Sequence, residues 1–153
     1  RDFMESFNSV EAIITRIIAL NHAWKVSRET LGAKNDITEA LRRQKSSWQA
    51  SLIRFHENAA YLKVDNDNTD GEVLLSVRLH SPVNINGVLR RDAEHIPLRI
   101  AKELFSSDEL ESLILIKTRN LTDEQKKELR EMLFSEIKFE CDCCELFKEK
   151  YKE

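Results

Sequence analysis

Glycine and proline are scarce in this chain, with 3 Gly and 2 Pro among 153 residues. Average usage of about 7% Gly and 5% Pro would supply about 18 of them. The shortage excludes collagen-like, low-complexity and Gly/Ser-linker architectures. It also disfavours a many-turned β-sandwich, which needs turn residues at regular intervals. Gly32, Gly71 and Gly87 stand too far apart to cradle a phosphate, which excludes dinucleotide and Walker-type loops. Long apolar runs are missing too. The longest, such as residues 113–116, have four residues, far short of the roughly 20 needed to span a bilayer. No membrane association is expected. No cationic stretch leads into an apolar core near the N-terminus, so no signal peptide is expected either.

There is no excess of one charge. The 24 Lys+Arg face 27 Asp+Glu, a formal net charge of −3. A nucleic-acid binder usually carries a concentrated basic footprint, so nucleic acid is not an expected partner. Cysteine is confined to Cys141, Cys143 and Cys144. An odd, clustered set is not a disulfide framework. It fits a reducing, cytoplasmic setting. On a helix, Cys141 and Cys143 would point about 160° apart, so only Cys141 and Cys144 could share a metal. None of His22, His56, His80 and His95 has a finger-like spacing to complete a zinc site. No metal and no cofactor are expected.

The strongest pattern present is at the N-terminus. Phe3, Phe7, Val10, Ile14, Ile17, Asn21 and Trp24 follow one another at spacings alternating between 4 and 3. That is a heptad seam on a helix expected from near Asp2 to Leu31, with Gly32 as C-cap. Asn21 in the seam suits a register-fixing role in a homodimer, or a hydrogen bond to a neighbouring helix within one chain. In the dimer, Asn21→Leu would raise stability and loosen oligomer specificity. Asp36 is the expected N-cap of a second helix, with Glu39 as capping-box partner. Its apolar stripe reads Ile37, Leu41, Trp48, Leu52 and Phe55, with Ala40 and Ala59 nearby. The short link, 32–35, favours an antiparallel helical hairpin over residues 2–59. Arg42, Arg43 and Lys45 then read as a solvated helix face, and Trp48 as core.

The period changes near Tyr61. Leu62 and Val64, then Val73, Leu75, Val77 and Leu79, alternate with polar neighbours, as a one-face-buried sheet requires. Pro82 interrupts the second run. Val83 and Ile85 meet Val88 across Asn86-Gly87, a favoured two-residue hairpin turn. A three- or four-stranded antiparallel β-meander over about 60–90 follows. Residues 96–151 form a mixed remainder. Pro97 suits a first helical turn, and Ile96, Ile100 and Leu104 give a short stripe. Ser107 is a candidate cap. Residues 113–116 lean toward a buried strand. Thr122 and Gln125 form a capping box for a long C-terminal helix carrying Leu129, Leu133, Ile137, Cys141, Cys144 and Tyr151. The expected fold is α+β in a single domain, 1–153.

Candidate chemistry is thin. Residues 65–71 place oxygen ligands from Asn66 at loop positions 1, 3 and 5, like a calcium loop, with Gly71 at position 6. Position 12 is Val77, not the bidentate Glu such a loop requires. A solvated hairpin tip fits better. The densest polar cluster is Arg90, Arg91, Asp92, Glu94 and His95. Its Arg-x4-His spacing resembles the Arg-x4–6-His motif of HEPN-type ribonucleases, in which Arg and His act on a phosphodiester. That resemblance implies a metal-independent phosphodiesterase or RNase using Arg90, Arg91, Glu94 and His95. Those domains are helical bundles, whereas this motif follows a hairpin, and Arg16 with His22 matches the loose spacing as well. The alternative is a loop with Asp92 or Glu94 paired to an Arg.

No nucleophile elbow, His-Glu-x-x-His pair or kinase loop occurs. The leading expectation is therefore a non-catalytic protein-interaction or regulatory module. It would self-associate as a homodimer through Phe3, Phe7, Val10, Ile14, Ile17, Asn21 and Trp24. A small-ligand sensor with a pocket between helices and sheet is a further alternative.

Overall fold

Ser9 is where the first described helix begins. Its backbone is extended (φ −65°, ψ 159°), and its hydroxyl accepts from the Ala12 N–H at 3.1 Å. This side-chain cap satisfies one of the free N–H groups of the first turn, and an extended residue cannot carry a helix onward. The computed structural model describes residues 8–65, 72–115 and 122–134. Helix α1 is Val10–Leu31 and helix α2 is Asp36–Phe55. The helix expected from Asp2 is thus shorter at its start, and Phe3 and Phe7 lie outside the described residues. Gly32 closes α1 at φ +97°, with its N–H on Arg28 O at 3.0 Å. Asn35, not Asp36, caps α2, its side chain accepting from the Ile37 N–H at 2.9 Å.

The two helices pack as an antiparallel hairpin, and their mutual face changes character along its length. Far from the turn it is apolar: Ile13, Ile14, Ile17 and Leu52 are buried in the main core. Near the turn it is polar. Ser27 and Thr38 share a 2.6 Å hydrogen bond, and Lys45 donates to Asn21 Oδ1 at 3.0 Å. The far end is tied by His56 Nε2 against Asn8 O at 2.6 Å.

The expected apolar stripe of α2 is partly misplaced. Leu52 is buried, but Ile37 is 58% exposed and Phe55 62% exposed. The buried face instead holds Thr38, Arg42, Lys45, Ser46 and Gln49. Arg42 and Lys45 are thus not on a solvated face; Arg43 is the exposed member of that trio.

Strands β1 (Ala60–Asp65), β2 (Leu74–Ile85) and β3 (Val88–Pro97) form an antiparallel sheet in the order β1-β2-β3. Leu62 faces Val77, and Leu75 faces Ile96, across the two ladders. Leu62, Val73, Leu75, Val77 and Leu79 all enter the core with the isoleucines of α1. Burying each such side chain is worth about 1.5–3 kcal/mol. Asn86 (φ 52°) and Gly87 (φ 83°) make the tight turn between β2 and β3. Two consecutive positive φ values are what a hairpin turn matched to strand twist demands. Pro82 lies within β2, where the register with β3 breaks between Arg78 and Val83. A proline cannot donate to a ladder, so the break falls where one donor is missing. The sheet runs on to Pro97, past the expected limit near residue 90.

Among the described residues three further helical segments follow: α3 (Leu98–Leu104), α4 (Ser107–Leu115) and α5 (Asp123–Phe134). Residues 113–115, expected as a strand, belong to α4. Ser106 and Glu109 explain why, because each accepts the other's backbone N–H, at 3.2 and 2.9 Å. That capping box nucleates a helix, and the cap is Ser106 where Ser107 was expected. Thr122 and Gln125 make the same reciprocal pair before α5. The cysteines, most of the Asn/Asp-rich tip at 65–71 and the C-terminal stripe beyond Phe134 lie outside the described residues.

Candidate functional site

A β-bulge prepares the site. Ser76 pairs with His95 and Arg78 with Asp92, so Ala93 and Glu94 together oppose Val77 alone. Glu94 takes up the extra residue in the left-handed region, at φ 65°. Such a conformation costs a non-glycine residue on the order of 1 kcal/mol and persists only where the surroundings enforce it. Here Gln49, fully buried on α2, donates its amide to Ala93 O at 2.8 Å and His95 O at 3.2 Å. Neighbours along a regular strand point to opposite faces. The bulge breaks that alternation and brings Glu94 and His95 to one pocket.

This pocket has a volume of about 280 Å³. It opens between the polar half of the helical hairpin and the ends of β1 and β2. Helix α1 supplies Asn21, Trp24, Lys25 and Arg28, and α2 supplies Arg42 and Lys45. The sheet adds Asp65, Leu74, Glu94 and His95. Four cationic side chains therefore face two carboxylates.

Trp24 organises the cations. The Arg28 and Arg42 guanidinium carbons lie 4.6 Å from its ring centroid, and Lys45 Nζ lies 4.7 Å away. An indole face attracts cations through its quadrupole, more strongly when they are desolvated. Arg42 is 6% exposed and Lys45 1% exposed. Arg42 is held by Glu72 at 3.1 Å. Glu72 in turn takes Arg99 Nε at 2.7 Å, and Arg99 grips both oxygens of Glu39 at 2.6 and 2.8 Å. Glu39 therefore braces Arg99 instead of capping α2, and the Arg99 hydrogen bonds hold its carboxyl below the ordinary value.

Lys45 is different. Among the described residues no carboxylate pairs with its ammonium, and its partner is the neutral amide of Asn21. Burial pushes its amine down to about 7, and the positive charge of Arg42 adds to the effect.

The sequence-derived candidates separate. Of the Arg/His cluster, Glu94 and His95 line the pocket, while Arg90 and Arg91 do not. Arg90 is held by Glu94 at 2.8 Å and Asp92 at 3.6 Å, and Arg91 is exposed. His95 Nε2 meets Asp65 Oδ2 at 2.5 Å. The guanidinium groups that do reach the pocket come from the helices. Of the seam residues, Ile14, Ile17, Asn21 and Trp24 are buried within the chain and Val10 is half-buried. The described part of the seam thus faces the chain's own α2 and sheet. Asn21 accepts a hydrogen bond from Lys45 of the neighbouring helix, an intrachain contact of the kind that is one of its two expected roles.

No protein-family model, curated protein or solved structure matches the chain. Among the described residues, no group of three or more His, Cys, Asp or Glu could hold a metal ion, and no helix is long and apolar enough to cross a membrane.

Proposed function

We infer that this chain is a non-catalytic binding module that takes a small anionic ligand between its helical hairpin and its sheet. One observation carries the reading: Lys25, Arg28, Arg42 and Lys45 converge on one cavity of about 280 Å³, with two of them buried. Burying cations is costly unless something compensates. Trp24, Asn21 and Glu72 compensate in part, and an anion in the cavity would do the rest. The volume sits near the lower end of small-molecule sites, roughly 300–1,000 Å³, which favours a compact ligand over a polymer. Lys25 and His95 stand at the more exposed side, where a ligand would arrive.

Thermal unfolding in the presence of oxalate, malonate or inorganic phosphate tests the reading. A ligand that binds only the folded chain at 100 times its Kd adds about 2.7 kcal/mol of stability. At least one of these anions is expected to raise the Tm, and Lys25→Glu, at an exposed position, is expected to remove the shift. No shift with any of them at millimolar concentration would sink the reading.

A further inference from the structure

We propose that Lys45 captures a small 2-oxo acid, its amine condensing with the ligand's carbonyl carbon while the neighbouring cations hold the carboxylate. This rests on the anion-pocket reading above and adds the functional group that the ligand carries beside its charge.

A lysine whose task is structural is normally buried against a carboxylate. Lys45 is buried against a neutral amide and the uncharged ring of Trp24, and borders a cavity. The charged groups around it are mostly of its own sign. Arg42 stands on its own helix, Lys25 and Arg28 face it from α1, and Glu94 from β3 is the opposing charge. The Glu94 carboxylate is itself engaged by Arg90 at 2.8 Å. His95 and Asp65, the remaining titratable groups of the pocket, are bound to each other. These surroundings disfavour the ammonium form and leave much of the amine neutral near pH 7. Desolvation and a second cation are the two devices that make a lysine a nucleophile toward carbonyl compounds.

The step balances without an oxidant or a reductant. The Nζ lone pair attacks the carbonyl carbon and forms a C–N bond, and the carbonyl π pair moves to oxygen, which is protonated. Nitrogen loses a proton to give the carbinolamine. The hydroxyl then leaves as water and a C=N bond forms. One amine and one carbonyl become one imine and one water. The reaction is reversible, as a sensor requires. The carboxylate next to the carbonyl matches the guanidinium groups of Arg28 and Arg42.

The test uses the full chain with pyruvate and sodium borohydride, followed by intact mass and peptide mapping. A single reduced adduct on Lys45 is expected, and none in folded Lys45→Arg. Asn21→Asp is a second variant that keeps the lysine. A carboxylate beside the amine favours the ammonium form, so trapping at pH 7 is expected to fall about fivefold or more, a rise of one pKa unit from about 7 taking the free base from about one half to about one eleventh. Calorimetry with lactate, which has the charge but no carbonyl, separates the two readings. Lactate binding with no pyruvate adduct would overturn the capture and leave the anion pocket standing. Adducts spread over surface lysines would overturn it as well. Absence of binding by both acids would remove both readings.

Discussion

Lys45 and Asn21 are joined by a 3.0 Å hydrogen bond between two helices, with both side chains buried. The amide oxygen is the hydrogen-bond partner of an amine that has lost nearly all contact with water. Asn21→Leu is therefore expected to destabilise the chain by about 2–3 kcal/mol, the cost of leaving a buried amine without its acceptor. The opposite sign would hold if Asn21 served to fix a dimer register. Urea unfolding of Asn21→Leu, and of Asn21→Leu with Lys45→Met, distinguishes the two. The double variant is expected to recover most of the loss.

Stability should depend on pH in a window set by Lys45. Its folded value is about 7, below the ordinary 10.5. Between those values the unfolded chain binds a proton that the folded chain does not. Stability therefore rises with pH through this window, with a slope approaching about 1.4 kcal/mol per pH unit. Below pH 7 both states carry the proton and the slope vanishes. Unfolding free energies at pH 6, 7, 8 and 9 should show the rise, and Lys45→Met should flatten it.

Glu39 sets a second window of the opposite origin. Its folded value is depressed by Arg99, so its contribution is present above the ordinary carboxylate value of 4.5 and is lost as pH falls through the lower folded value. Arg99→Lys removes the bidentate grip. The pair is partly exposed, and solvent screening reduces its worth. A loss of about 1 kcal/mol, shrinking at high salt, is expected, with a weaker acid dependence below pH 4.5. Unfolding at two salt concentrations checks it.

Much of the architecture is legible in the residues, and the site is not. The α1 seam at Ile14 and Ile17, the alternation of Val73 to Leu79, the Asn86-Gly87 turn and the Thr122–Gln125 box are local signals whose physics is local. The buried face of α2 is misread for a definite reason. Thr38, Arg42, Lys45, Gln49 and Leu52 recur at spacings of 4, 3, 4 and 3, a seam as regular as that of α1. Its members are polar, so a search for apolar periodicity passes over it to Ile37 and Phe55. The signal that could have found it is the polar pair Asn21 and Ser27, one on each side of Trp24, on the facing helix. Buried polar positions on one helix of a hairpin call for polar partners on the other. Likewise, no residue pattern announces the bulge at Glu94, because the buried amide of Gln49 enforces it from a distant part of the chain.

Gln49→Leu tests that enforcement. The substitution keeps the volume roughly constant and removes the donor to two carbonyls. A loss of about 2–4 kcal/mol is expected, since each buried acceptor left without a partner costs about 1–3 kcal/mol. Chemical-shift changes at Ala93, Glu94 and His95, larger than those at Leu62 or Leu110, would show that the loss is centred on the bulge.

The extra residue in β3 acts as a frame shift in the reading of side chains along the strand. Deleting Glu94 would leave equal lengths between the two paired positions and a straighter ladder with less backbone strain. Such a variant is expected to make a more regular sheet and a poorer receptor, because His95 would come into phase with a different set of neighbours. In this fold a single inserted position thus trades β-sheet regularity for a pocket, and the fold's tolerance to one-residue deletions along β3 should reach its maximum there, with the pocket lost.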